Sequence, residues 1–146
     1  MVVVALIAVG AIWDRVSDAP AETVSWCDLT GELRGLELPR QTGRAYQSRG
    51  RLADYLRAVM PGRAPVLPRI DFRRDEAVLV GSGPRSSTGY DLRVVRVEDR
   101  GDTVDVRVRE RTPSLGEPTE ARITYPYRLI VFKRIDKPVH VIWEGR

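Results

Sequence analysis

Hydrophobic and polar residues alternate along most of the chain after residue 75, with the period of two that β-strands produce. Val104, Val106 and Val108 alternate with charged residues, which predicts a strand with one buried and one exposed face. The continuous apolar run at residues 77–80 predicts a strand buried on both faces. The C-terminal half of the chain is therefore predicted to consist of β-strands.

The alternation slips by one residue inside the next predicted strand. Leu92 and Val94 share one phase, whereas Val95 and Val97 share the other. A slip of this kind predicts a β-bulge. Residues 100–102, Arg-Gly-Asp, follow and predict a hairpin turn into the valine-rich strand.

Two further strands are predicted near the C-terminus. Alternate residues from Ile123 to Val131 are apolar or aromatic, and Pro126 interrupts them, which predicts an edge strand or a bulge there. Val139, Val141 and Trp143 predict the last strand. The even spacing of these strands predicts a mainly β domain, an antiparallel Ig-like β-sandwich or a small barrel.

One helix is predicted at about residues 48–60. Ser48 can cap its N-terminus, and Pro61-Gly62 can end it. The apolar stripe on this helix is narrow, as expected for a helix packed on a sheet, and consists of Leu52, Tyr55, Leu56 and Val59. Residues 14–41 lack a clean period and predict short strands and loops.

The N-terminal segment is strongly apolar from Val2 to Trp13. It is short for a membrane-spanning helix but has the length of a signal-peptide core, and the triplet at residues 19–21, Ala-Pro-Ala, resembles a cleavage site. Residues 1–21 are therefore predicted to be a signal-like or membrane-tethering segment, with a buried core strand as the alternative. Residues 22–146 are predicted to form a single β-rich domain outside the cytoplasm, whose oligomeric state stays open.

The composition excludes several classes of function. The 146 residues carry a net charge of +4, but the arginines alternate with acidic residues instead of forming the basic stripe of a nucleic-acid-binding protein. Cys27 is the single cysteine, so no disulfide can form within the chain and no cysteine-based metal site is predicted. We expect Cys27 to be a buried, inert thiol.

Catalytic chemistry is not predicted. His140 is the single histidine and lies mid-strand, opposite in phase to the apolar positions, which is typical of a surface histidine. Asp71, Asp75 and Glu76 lie close together near a strand start, but charged strand ends are common and no nucleophile motif accompanies them. We expect a non-enzymatic protein without a cofactor or metal.

The most unusual segment is the glycine- and hydroxyl-rich loop at residues 81–90, between two predicted strands. It is not a phosphate-binding loop, because no Gly-Lys-Ser/Thr and no helix follow it. Gly89 is expected to allow a positive φ before the next strand. A loop on a rigid sandwich is a common place for binding residues, and we expect this one to be held free in solvent as a hairpin tip. The predicted partner-binding residues are Arg85, Ser86, Ser87, Thr88, Gly89 and Tyr90.

Several motifs resemble a known family when they are taken in order. They are Ile70-Asp71-Phe72, the run ending at Val80, Ser87-Thr88-Gly89-Tyr90, and Thr124-Tyr125-Pro126-Tyr127 leading into residues 129–131. Over roughly residues 48–141 the chain resembles the C-terminal domain of the protease complex subunit PrcB family. In that family the domain belongs to exported or lipid-anchored bacterial proteins, and the founding member associates with a surface subtilisin-like protease. The resemblance implies a non-catalytic accessory or binding role for this chain, with a protease as the expected partner.

A looser similarity is to chagasin-type cysteine-protease inhibitors, which insert an Asn-Pro-Thr-Thr-Gly-Tyr loop of an Ig-like sandwich into the protease cleft. The matching positions here are residues 85–90, where Thr-Gly-Tyr is kept and Asn-Pro is absent. This similarity implies a protease inhibitor as the alternative function.

Three hypotheses therefore remain. The first is an extracytoplasmic domain that binds a protein, a protease by the family resemblance, through residues 84–90 and the neighbouring loop near residues 112–118. The second is a chagasin-like inhibitor. The third is a cell-surface ligand-binding module that uses Tyr125, Tyr127 and Trp143, although core packing is the simpler role for these aromatics.

Overall fold

The computed structural model describes residues 20–63 and 66–145. The N-terminal apolar segment, for which a signal peptide, a tether or a core strand was predicted, lies almost entirely outside the described residues. Within them the chain forms eight strands and one α-helix. The strands are β1 (Glu22–Thr23), β2 (Trp26–Asp28), β3 (Thr42–Tyr46), β4 (Asp75–Gly81), β5 (Asp91–Asp99), β6 (Val104–Arg111), β7 (Tyr127–Lys133) and β8 (Val139–Glu144), and the helix is α1 (Arg49–Val59).

The described strands form two four-stranded sheets, with the orders β1-β5-β6-β8 and β2-β7-β4-β3. The predicted mainly β sandwich with one helix is confirmed, and the two sheets do not join into a closed barrel within the described residues. The expectation of purely antiparallel strands is wrong for β8. Its Val139 pairs with Val104 of β6 in a parallel register, because the chain crosses to the other sheet through β7 before it returns.

The main core lies between the two sheets. Val78 and Val80 of β4 and Ile130 of β7 pack in one cluster with Leu92 and Val97 of β5 and the three valines of β6, and all of these side chains are fully buried. The predicted alternation of Val104, Val106 and Val108 thus fixes which face of β6 points inward.

A second core covers the other face of the β2-β7-β4-β3 sheet. Leu79 and Leu129 point to this side and pack against Leu52 and Leu56 of α1. Because both faces of β4 are covered, its apolar run is continuous, as predicted. The helix is also confirmed, since the Ser48 side chain accepts a hydrogen bond from the N–H of Arg51.

The irregularities of β5 and β6 agree with the sequence. The register between these strands shifts between Val94 and Arg96, which confirms the bulge. The N–H of Arg100 donates to the carbonyl of Thr103 at 2.8 Å, and Gly101 has a φ of 89°, which confirms the hairpin turn.

Two local expectations are wrong. Pro126 predicted either an edge strand or a bulge, and the edge alternative is wrong, because β7 lies in the middle of its sheet, between β2 and β4. The bulge alternative agrees with the pairing, which shifts by one residue between Gly81↔Tyr127 and Arg85↔Thr124. Proline is accommodated because β7 begins one residue later, and the Pro126 carbonyl, which proline retains, accepts a hydrogen bond from Ser82. Cys27 is exposed, since β2 is an edge strand.

The N-terminal part of the described chain contains short strands, as predicted for residues 14–41. Strands β1 and β2 are two and three residues long. Strand β3 was not predicted, because only its end residues, Thr42 and Tyr46, are buried. Among the described residues, no helix combines the length and the apolarity needed to cross a membrane.

Candidate functional site

The ladder between β4 and β7 continues beyond both strands into two loops, residues 82–90 and residues 112–126. We call these two segments together the loop pair. The N–H of Ser82 donates to the Pro126 carbonyl at 2.9 Å, and the N–H of Thr88 donates to the Glu120 carbonyl at 3.2 Å. Each loop is therefore held in place by the backbone of the other.

The centre of the loop pair is an isolated antiparallel bridge between Arg85 and Thr124. Both backbone hydrogen bonds of this bridge are present, at 2.8 and 2.9 Å. The hydroxyls reinforce the bridge, since Thr124 Oγ1 donates to the Ser87 carbonyl at 2.7 Å and Thr88 Oγ1 accepts from the N–H of Glu120 at 3.0 Å. The hydroxyls of this segment thus tie the two loops to each other.

The Arg85 side chain connects the loop pair to the sandwich core. Its guanidinium forms a bidentate ion pair with the Glu110 carboxylate, including a contact of 2.7 Å between Nη2 and Oε2. The Glu110 side chain is 7% exposed and that of Arg85 is 20% exposed. The hydrogen bond to Glu110 raises the pKa of Arg85 further above its ordinary value, although burial opposes this shift.

Gly89 is buried where the two loops touch. A Cβ atom added there would lie 2.5 Å from Cβ of Pro113 and 2.6 Å from Cγ2 of Thr119. Its φ is not in the positive region, which in this loop is occupied by Gly83 at 77°. The expectation that Gly89 supplies a positive φ is therefore wrong, and the glycine is needed for close approach.

A tight turn forms the outer part of the 112–126 loop. The N–H of Glu117 donates to the Ser114 carbonyl at 3.0 Å, and Gly116 has a φ of 82°, as expected for a β-turn with glycine at its third position. The Glu117 carboxylate accepts from the N–H of Ser114 at 3.0 Å and from the Arg111 guanidinium at 2.6 and 2.7 Å. Hydrogen bonding by Arg111 lowers the pKa of Glu117 and raises that of Arg111.

The structure thus brings the six predicted site residues together but does not expose them equally. Ser86 is exposed, whereas Arg85, Ser87, Thr88 and Tyr90 are half-buried and Gly89 is buried. The Arg85 guanidinium also lies 6.0 Å from the centre of the Tyr90 ring. The expectation that this loop stands free in solvent is wrong, because the 112–126 loop packs along it.

The sequence interpretation missed Glu110 and Arg111, and it included Glu117 only as part of the predicted binding loop near residues 112–118. A signal for Glu110 was available, because this charged residue continues the inward phase of Val106 and Val108. A carboxylate at an inward position requires a buried cationic partner, and the structure supplies Arg85. Nothing local in the sequence identifies that partner.

The outer face of the β1-β5-β6-β8 sheet carries the mixed charges seen in the sequence. Glu98 accepts hydrogen bonds from Arg100 and Arg107, both at 3.0 Å. Burial raises the pKa of Glu98, but these hydrogen bonds outweigh it and hold the pKa below its ordinary value. The arginines here are engaged by carboxylates, which supports the mixed-charge interpretation.

The remaining candidates do not form a second site. His140 is exposed on β8, as predicted for a surface histidine. Asp71 lies in a turn, where its carboxylate accepts from the N–H of Arg73 at 3.1 Å, and Glu76 is buried next to Gln47. Among the described residues, no group of three or more His, Cys, Asp or Glu side chains is arranged to hold a metal ion.

The aromatic residues proposed for a surface ligand lie in different layers. Tyr127 packs against the core under α1, and its hydroxyl donates to the Leu33 carbonyl. Trp143 packs against the core between the sheets. The two side chains therefore do not share an aromatic platform, and packing is the role that the structure gives them.

Comparison with known proteins relates part of the chain to a protein family. Residues 77–133 match the family model described as PrcB C-terminal, which confirms the resemblance to this family over a shorter range than residues 48–141. The matched segment runs from β4 to the end of β7 and contains the whole loop pair. No curated protein and no solved structure matches the chain, and the similarity to chagasin-type inhibitors stays a prediction.

Proposed function

We propose that the chain is a non-catalytic binding domain that associates with a protease outside the cytoplasm and presents the loop pair to it. The match of residues 77–133 to the PrcB C-terminal family supports this proposal, since the resemblance implies a subunit associated with a protease complex. The role is accessory: the domain stabilises or positions the protease.

The observation that carries the proposal is the construction of the loop pair. The bridge between Arg85 and Thr124 and the ion pair between Arg85 and Glu110 hold two long loops in one conformation. Loops of this length are otherwise costly to order on binding, and ordering them beforehand favours affinity. The buried polar contacts stabilise the two loops, and these loops extend beyond the ends of the strands that form the sandwich.

The inhibitor alternative gains no support from this geometry. A chagasin-like mode requires Thr88, Gly89 and Tyr90 to enter a partner's cleft. Gly89 lies instead under Pro113 and Thr119 of the neighbouring loop, so only the outer rim of this segment can touch another protein. A papain inhibition assay separates this alternative from the proposal.

A direct binding experiment tests the proposal. The subtilisin-type proteases of the source organism are purified with the active-site serine replaced by alanine, and their binding to the full chain is measured by biolayer interferometry. We expect one of them to bind with a Kd in the micromolar range or tighter. Absence of binding to every one of these proteases would contradict the proposed function.

A further inference from the structure

We propose that Leu115 is the anchor by which this domain docks, inserting its side chain into an apolar pocket of the partner protein. This inference rests on the proposed function and deepens it, because it assigns the contact to the tip of the 112–126 loop. The 82–90 loop then acts as the support behind that tip.

Leu115 is exposed to an unusual degree. Its accessible surface is 107% of the reference value, so the side chain has no packing contact in the fold. Single exposed apolar residues are common on protein surfaces, and exposure alone would carry no inference. What distinguishes Leu115 is the rigidity of the backbone that holds it.

Three interactions fix the turn from Ser114 to Glu117. They are the backbone hydrogen bond across the turn, the hydrogen bond from the N–H of Ser114 to the Glu117 carboxylate, and the ion pair in which Arg111 Nη2 donates to both oxygens of that carboxylate. Arg111 also donates to the Gly89 carbonyl at 2.9 Å. A flexible loop could turn its leucine inward, whereas this turn holds Leu115 outward.

Prolines on both sides restrict the turn further. Pro113 and Pro118 flank it in the sequence, and each fixes its own φ. Pro113 also lies against the position of Gly89, so the turn is buttressed by the 82–90 loop. The conformational entropy lost on binding is therefore confined to the Leu115 side chain. An apolar residue contributes most to affinity when the backbone that carries it is already ordered.

The chemistry around Leu115 favours a protein pocket over a lipid surface. Glu117 is paired with Arg111, and Glu120 lies 3.5 Å from Arg122, so the neighbourhood is close to neutral and carries carboxylates. Anionic lipids attract clusters of basic residues, and one leucine buries far less hydrocarbon than the acyl chain that gives only marginal membrane binding. A concave apolar pocket accommodates a single protruding leucine.

The test compares Leu115→Ser with Val66→Ser, which removes another strongly exposed side chain that lies outside the loop pair, at 80% exposure. Both variants should fold like the parent, because neither side chain is buried. Binding to the inactive subtilisin-type proteases of the source organism is measured for all three proteins. We expect a loss of affinity of about 10- to 100-fold for Leu115→Ser and less than about 2-fold for Val66→Ser.

The outcomes separate the inference from the function on which it rests. If the parent binds and Leu115→Ser binds equally well, the anchor is refuted and the proposed function stands. If the parent binds none of the proteases, both are refuted. If the parent instead binds vesicles of phosphatidylcholine and phosphatidylglycerol, and Leu115→Ser abolishes that binding, Leu115 is a lipid contact and the inference is wrong.

A second variant tests the rigidity argument. Glu117→Gln weakens the pair with Arg111 while leaving Leu115 in place. We expect a smaller loss of affinity, of about 3- to 10-fold, together with faster cleavage of the 112–126 loop by added trypsin. Unchanged affinity with accelerated cleavage would refute the claim that a rigid turn is required.

Discussion

Arg85 and Glu110 form a bidentate ion pair that joins the loop pair to the inner face of β6. Because Glu110 is buried, removing its charge leaves the Arg85 guanidinium half-buried and uncompensated. We expect Glu110→Gln to lower the free energy of unfolding by about 2–4 kcal/mol. Urea denaturation followed by circular dichroism measures this change.

The matched control for that prediction is Asp54→Asn on α1. Asp54 pairs with Arg57 at 2.6 Å, but both side chains are more than 60% exposed. Exposed ion pairs contribute little to stability, so we expect the free energy of unfolding to change by less than about 0.5 kcal/mol. Equal effects of the two variants would show that the Arg85 pair is not a structural link.

Replacing Gly89 should separate the two loops. A Val side chain there would collide with Pro113 and Thr119, and we expect Gly89→Val to destabilise the fold by about 1–3 kcal/mol and to weaken partner binding while the sandwich stays folded. Hydrogen exchange of the amides at Thr88 and Glu120 should accelerate, because their cross-loop hydrogen bonds would be strained.

Gly50 provides the control for the Gly89 variant. It lies in α1 with nothing within 4 Å of an added Cβ, so Gly50→Ala should be neutral or should stabilise the protein by up to about 1 kcal/mol. If Gly89→Ala is equally well tolerated, the close approach of the loops does not constrain this position.

Glu76 should make stability depend on pH. Burial raises its pKa, and the hydrogen bond from Gln47 only partly offsets this. The folded state therefore takes up a proton more readily than the unfolded state, so this group stabilises the fold at low pH and loses that contribution as the pH rises through its folded-state pKa. Glu76 is thus unfavourable at pH 7.

The variant Glu76→Gln isolates this effect. We expect it to be at least as stable as the parent at pH 7, and its advantage should shrink as the pH falls toward 4.5, the ordinary pKa of the group. Thermal denaturation of both proteins between pH 4.5 and pH 7.5 gives the difference. A constant difference over this range would mean that Glu76 is ionised normally in the folded protein.

The contact between α1 and its sheet should contribute strongly to stability. Leu56 is fully buried in this second core, and we expect Leu56→Ala to cost about 2–4 kcal/mol. Val66→Ala removes part of an exposed side chain and should change stability by less than about 0.5 kcal/mol. If Leu56→Ala changes stability as little as Val66→Ala does, the packing of α1 on the sheet does not stabilise the sandwich.

Several features of the fold were predictable because their causes are local. Ser48 caps α1 with its own side chain, Gly101 turns the β5–β6 hairpin, and the slip in phase after Val94 marks the bulge. In each case the residue and the structure that it produces lie within a few positions of each other. The period-two alternation also predicted correctly which valines of β6 are buried.

Other features depend on which segments of the chain pack together, and the local sequence does not specify that pairing. The edge alternative for the strand at Pro126 and the expected burial of Cys27 were wrong, because the positions of β7 and β2 in their sheet decide both. The expectation that residues 82–90 stand free in solvent was wrong for the same reason. Residues 82–90 are covered by a segment about thirty positions away in the chain.

The sequence by itself determined the mainly β architecture, the helix and the inward face of each long strand, because alternation and capping act between near neighbours. Tertiary structure alone decided that Arg85 reaches Glu110 and that Gly89 lies beneath Pro113. These relationships join residues far apart in the chain, and only the packing of two sheets brings them within contact distance.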